Sequence, residues 1–235
     1  MNNTYESPHL ERHKSQRAPW LRAAVLGVND GIVSTSGLML GVLAATSSQT
    51  AILTAGIAGL VAGAISMAAG EYVSVSSQKD SENADIDIER RSIAANPDME
   101  LAELAWIYEQ RGVEKKLALE VATQLHSHDA VKAHARDELN IDQDTLANPT
   151  QAALTSSIAF SIGAFVPIVA ALISNSDNGI YLIVGLSMVG LAVSGGIGAY
   201  LGGGKRFMAS LRVLIGGALA MAITYGIGLL IGVSL

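Results

Sequence analysis

The chain has 235 residues, 50% of them apolar and only 15% charged, where a soluble domain of this size carries about a quarter charged residues. It has no cysteine, which excludes disulfide scaffolds, zinc–thiolate sites, iron–sulfur clusters and cysteine nucleophiles. A formal net charge of −6 argues against a nucleic-acid binder, because neutralising phosphate needs clustered Lys and Arg.

Mean hydropathy is +0.37, but the average hides a segregation. Charge sits in residues 1–22 and 76–144 and almost nowhere else. Residues 1–22 lean basic, with Arg12, His13, Lys14, Arg17 and Arg22. They are expected to form a disordered cytosolic tail, not a secretory signal, since the apolar run that follows is too long and lacks a small-residue cleavage pattern. Five apolar stretches follow, at 23–45, 51–75, 152–173, 179–204 and 208–235. Each exceeds the roughly 20 residues that cross the hydrocarbon core of a bilayer as a helix. Their glycine runs, such as Gly195-Gly196-Ile197-Gly198, weaken a soluble helix but let membrane helices approach closely.

The basic residues set an orientation. All 15 Lys and Arg fall at 12–22, 79–136 and 205–212. With five spans those three places share one face, and the positive-inside rule makes that face cytosolic. The N-terminus is then inside and the C-terminus outside. The segment between spans 2 and 3 reads as a cytosolic helical insert. Residues 76–95 hold no Gly or Pro, so span 2 is expected to run on into it. Asn96-Pro97-Asp98 is a break and a helix start. Leu101, Leu104, Ala105 and Tyr108 recur at helical spacing, Gly112 ends that helix, and Val113, Leu117, Val121 and Leu125 mark the next. A short helix over 130–139 and a linker over 142–149 complete the insert. An insert of about 70 residues in three or four helices is small but foldable, especially as a dimer.

Two acids lie within the apolar spans. Asp30 is nine residues past Leu21, about 13 Å into the membrane at the helical rise. Met67 is eight residues before Val75, about 12 Å deep, so the two are level. Glu71 is one turn nearer the cytosol on the same face as Met67. Asn29, Ser34, Thr35 and Ser66 add neutral oxygens nearby. An ionisable group inside a span costs at least ~2.5–3.5 kcal/mol, and such groups usually face a water path or a partner. Carboxylates with a thioether suit a borderline divalent transition metal better than calcium or magnesium. Asp177, in an external turn, is given no role.

The insert holds 16 Asp and Glu between Asp80 and Asp144. Glu82, Asp85 and Glu89 line one helix face, and Glu100 and Glu103 pair on the next helix, crowding that a bound cation would relieve. His126, His128 and His134 are possible nitrogen ligands. No Glu-x-x-His lies in the insert, against a ferritin-like di-iron site. No Walker A motif, nucleophile elbow or His-Glu-x-x-His occurs, so neither an ATPase nor a hydrolase is indicated.

The span 1 motif Leu26-Gly27-Val28-Asn29-Asp30-Gly31-Ile32-Val33-Ser34 and the span 2 motif from Gly63 to Ser74 (GAISMAAGEYVS), with an acidic insert and three further spans, resemble the vacuolar iron transporter family from about residue 20 onward. The resemblance implies a homodimer that moves ferrous iron, and often manganese, out of the cytosol in exchange for protons. It implies Asp30 and Met67 as pore ligands, Glu71 as a further pore residue, and the insert as a domain that gathers metal through Glu89, Glu100, Glu103 and Glu138. The chain departs from the family pattern at Ser92, where an acid is expected, and at His134 and Ala135, where Met and Glu are expected.

The expectation is therefore an all-α, polytopic membrane protein with five transmembrane helices and a cytosolic helical insert between helices 2 and 3. The divisions are a tail at 1–20, helices 1–2 at 21–75, the metal-binding insert at 76–147 and helices 3–5 at 150–235. It is expected to be a carrier and not an enzyme, with no cofactor besides the Fe2+ or Mn2+ it handles. Its partners are those ions, protons, the lipid bilayer and a second copy of itself. The expected location is a prokaryotic inner membrane, or the vacuolar membrane in a eukaryote. The competing reading is a membrane-anchored iron-storing or ferroxidase protein.

Overall fold

The computed structural model describes residues 18–46, 48–142, 148–175 and 178–234. The expected tail up to residue 17, most of the linker before span 3 and the turn around Asp177 lie outside the described residues. Within them the chain is all helical, with seven helices and no strand: α1 (Ala18–Ala45), α2 (Gln49–Ala95), α3 (Pro97–Gln110), α4 (Lys115–Asp137), α5 (Pro149–Ile173), α6 (Gly179–Gly202) and α7 (Arg206–Ser234). Five of them, α1, α2, α5, α6 and α7, are long and apolar enough to cross a membrane. The chain divides into two compact units, Met1–Glu71 with Thr150–Leu235, and Tyr72–Pro149.

In the first unit the core is built from Ile32, Met39 and Leu40 of α1, Ile168 of α5, Ile183 and Leu191 of α6, and Met221 of α7. The outer faces are as apolar as the core. Ile57, Val61 and Ile65 of α2, Ile158 of α5 and Ile215 of α7 are exposed. A surface of that kind is an aggregation hazard in water and a match for lipid, so this is a multi-pass membrane protein.

Small residues set how close the helices come. A Cβ on Gly31 of α1 would lie 2.1 Å from the Phe160 carbonyl oxygen of α5, and one on Gly163 of α5 would lie 2.1 Å from the Val28 carbonyl oxygen of α1. The two backbones touch where only glycine fits, the packing that small residues four apart give in membranes. Gly31→Leu is therefore expected to force α1 from α5 and destabilise the protein by on the order of 3 kcal/mol, at the upper end for overpacking. Thermal unfolding in detergent measures it; an unchanged midpoint would contradict the contact.

The second unit is the C-terminal part of α2 with α3 and α4. The 47-residue α2 is unbroken through the sequence where span 2 was expected to run on. α3 opens with Pro97 in its first turn, Asp98 and Glu100 following, acids that complement the positive helix end. Gly112 stops the helical run at φ +92°, a left-handed position that costs glycine nothing. The helices expected over 113–125 and 130–139 are one element, α4, broken at Asp129 (φ −160°, ψ 92°). No linker separates the two halves, because the Asp129 carboxylate accepts the Lys132 backbone N–H at 3.0 Å and caps the second half directly.

On α3 the expected Leu104 and Ala105 are buried, but the buried face of α4 differs from the expected one: Ala118, Ala122 and Ala133 are buried, while Leu117 is half exposed. Alanine wins the contact face because it lets α3 and α4 approach closely, and the larger Leu101, Tyr108 and Leu125 flank it.

The far ends of α3 and α4 are locked by one carboxylate. Asp137 accepts from Tyr108 Oη at 2.6 Å and from an Arg111 guanidinium nitrogen at 2.6 Å, and a second Arg111 nitrogen donates to the Asp137 carbonyl at 2.8 Å. Burial opposes the charge on Asp137, yet these hydrogen bonds and the cations hold its carboxyl below the ordinary 3.8. Burial and the same hydrogen bond push Tyr108 up to about 12. A depressed acid contributes stability that is complete above its unfolded pKa and disappears as pH falls through the folded one. Wild type is thus expected to lose stability below pH 3.8 more steeply than Asp137→Asn, which should already be weaker at neutral pH. Parallel acid-unfolding curves would exclude the lock.

Candidate metal centres

Two groups of side chains could hold a cation, one in each unit. The first is a recess of about 200 Å³ lined by Asp30, Ser34, Thr35 and Leu38 of α1, Gly59, Gly63, Ser66 and Met67 of α2, and Phe160 of α5. The α1–α5 contact at Gly31 fixes the helix that carries Asp30. Gly63 leaves room for the Phe160 ring, since a Cβ there would lie 2.1 Å from the ring tip. The lining contains one carboxylate, one thioether and three hydroxyls, and no Lys or Arg.

The hydroxyls are not equivalent. Ser34 donates to the Asp30 backbone carbonyl at 2.6 Å, the usual way a helix satisfies a serine in an apolar setting. Thr35 is 1% exposed and its Oγ1 has no hydrogen-bond partner. A buried hydroxyl left unpaired costs about 1–3 kcal/mol, which an oxygen-seeking cation in the recess would offset. Asn29, expected among these oxygens, is used elsewhere: its amide oxygen accepts from Ser194 of α6. Glu71 is partly buried, one turn beyond Met67, and is not among the residues lining the recess.

The second group is Glu89 of α2, Glu100 of α3 and His134 of α4, whose ligand atoms all lie within 4.8 Å of one another and all of which are buried. His134 Nδ1 is 2.9 Å from Glu89 Oε1, 3.1 Å from Glu138 Oε2 and 4.0 Å from Glu100 Oε2. One ring N–H serves one acceptor well. Glu138 takes the hydrogen bond, and Glu89 Oε1 is left buried without one. Ser92 donates to Glu100, so the residue that departs from the family pattern orients a carboxylate instead of supplying one.

Burial raises the Glu89 carboxyl above its ordinary 4.5, repulsion from Glu138 adds to this, His134 opposes it, and Glu100 and Glu103 raise it further. A cluster in this state gains from a divalent cation. Three carboxylates and an imidazole are a donor set for manganese, iron or zinc more than for calcium or magnesium. Glu103 is exposed and reaches the cluster through its charge. His134 is the residue that carboxylate spacing alone did not place at the centre. The signal was present in the spacing of His134 and Glu138, four apart on one helix face.

The sequence comparisons agree with the motifs. A profile described as the VIT family matches residues 21–229. A protein of Acanthamoeba castellanii named vacuolar iron transporter is 47% identical over 223 residues, covering 94% of this chain and 82% of the relative. Vacuolar iron transporter homolog 3 of Arabidopsis thaliana is 41% identical, covering 93% and 86%. VIT-like transporter 1b of Glycine max is 37% identical, covering 93% and 79%.

Proposed function

Because this chain belongs to the VIT family, we propose that it carries ferrous iron, manganese or both out of the cytosol in exchange for protons, with the Asp30–Met67 recess as its transport site. The observation that carries this reading is the recess itself: a carboxylate and a thioether from two membrane helices line one hollow with no basic side chain to neutralise the acid. A passing cation, or a proton in its place, supplies that charge.

In this mechanism Glu89, Glu100, His134 and Glu138, with Glu103 nearby, gather hydrated ions on the cytosolic side. Glu71 draws an ion towards the membrane, and Asp30, Met67 and the Thr35 hydroxyl replace part of its water. A proton arriving from the other face neutralises Asp30 and releases the ion, and alternating access repeats the cycle. Basic residues confined to three segments support an orientation with the N-terminus and the 76–147 insert in the cytosol and the C-terminus outside. The exposed apolar face of α2 supports assembly as a homodimer in the bilayer. The host membrane on this reading is the plasma membrane of a prokaryote or the vacuolar membrane of a eukaryote.

The test is flux into proteoliposomes holding a metal-sensitive dye under an imposed pH gradient, with Fe2+ and Mn2+ in competition. Uptake that grows with the gradient and alkalinises the lumen in step supports exchange; a lumen that acidifies with uptake contradicts exchange, and flux indifferent to the gradient removes the proton from the mechanism. The carboxylate–histidine cluster also fits a membrane-anchored ferroxidase. Oxygen consumption on adding Fe2+ would favour that enzyme, and its absence favours the carrier.

A further inference from the structure

His126 and His134 stand eight residues apart on α4. A straight helix would separate them by about 12 Å along its axis, yet their ring centroids are 6.0 Å apart at an interplanar angle of 77°. The break at Asp129 lies between them and accounts for the approach. Both rings carry a buried nitrogen without a partner, Nδ1 of His126 and Nε2 of His134. His134 is fully buried, and a protein seldom leaves such a nitrogen unpaired without a use for it.

The other face of His134 explains which nitrogen is available. Nδ1 lies against the Glu138 and Glu89 carboxylates, and a carboxylate that accepts Nδ1–H leaves the lone pair on Nε2. That is the arrangement by which metal-bound histidines are oriented. Two imidazoles bound to one ion at about 2.1 Å set their centroids roughly 5–6 Å apart.

We infer that His126 Nδ1 and His134 Nε2 form a nitrogen site for a late first-row divalent ion of the zinc class, beside the carboxylate cluster and oriented by it. Waters complete the coordination, so the ion exchanges readily. Imidazole favours zinc over manganese, which prefers oxygen. With Nδ1 protonated, the neighbouring carboxylate position is held by the oxygens of Glu89, Glu100 and Glu138 alone, so the insert holds two kinds of ion at neighbouring positions. The inference rests on the metal-gathering role proposed for the insert, and the two are separable by experiment.

Zinc and manganese affinities are to be measured by calorimetry on the full chain in detergent, in a His9→Ala/His13→Ala background that removes the tail histidines. His126→Ala is expected to lower zinc affinity at least tenfold and to leave manganese affinity within twofold; His134→Gln should lower zinc affinity equally. X-ray absorption at the zinc edge should show two imidazoles per ion in the parent and at most one in His126→Ala. Circular dichroism melting identifies a variant that fails to fold, in which case His126→Asn, closer in size, replaces it. Unchanged zinc affinity in a folded His126 variant, or one imidazole per ion in the parent, overturns the nitrogen site. Unchanged manganese affinity in Glu89→Gln/Glu100→Gln overturns the carboxylate role and, with the zinc result unaffected, leaves the nitrogen pair standing.

Discussion

Asp30→Ala stops ion movement: initial rates of Fe2+ or Mn2+ flux in proteoliposomes are expected to fall at least about 100-fold, because losing a group that merely orients a metal ligand already costs about 10–100-fold. The same variant should be no less stable than wild type. A carboxylate within a span costs at least ~2.5–3.5 kcal/mol, and its removal relieves the folded protein of that burden. The paired outcome discriminates between roles. A side chain retained for packing would show the reverse, with flux kept and the melting midpoint lowered. Wild-type flux in Asp30→Ala ends the assignment of the recess as transport site, whatever the midpoint does.

The second large effect is expected in the insert. Glu89→Gln with Glu100→Gln removes two of the crowded negative charges while keeping side-chain size and an acceptor for Ser92. In metal-free buffer at neutral pH the double variant should resist unfolding better than wild type, because Glu89 ionises only against burial and repulsion. With Mn2+ at 100 times its dissociation constant the ranking should reverse, since wild type gains about 2.7 kcal/mol from binding and the variant gains none. Hydrogen exchange across residues 72–149 of the intact chain reads both arms. Equal metal-induced protection in wild type and variant would show that the ion binds elsewhere.

Much of the architecture was legible without coordinates because it depends on neighbours along the chain. Apolar runs longer than a bilayer crossing declared five spans, and five span-length helices stand there. The Asn96-Pro97 break, the stop at Gly112 and the unbroken passage of α2 beyond its apolar part are local events, set by backbone sterics and by missing or present breakers. Arithmetic on the helical rise set Asp30 and Met67 level, and both line one recess.

What the sequence left open involves partners far apart in the chain. Periodicity favoured Leu117 for the insert's contact face, and packing gave the place to Ala118 and Ala122 because two helices can come closer over alanine. Asn29 and Asp30 are adjacent in sequence, yet Asp30 lines the recess while Asn29 bonds to Ser194 of α6, since adjacent helical residues face different neighbours. The cluster of Glu89, Glu100 and His134 draws on three helices, and helical spacing records only residues three or four apart. Composition and periodicity thus determined that the chain crosses a membrane and carries an acidic helical insert. Only the tertiary structure decided which carboxylates meet, that an imidazole stands among them, and that a break at Asp129 brings a second imidazole to it, because those contacts depend on how helices pack and on where one of them bends.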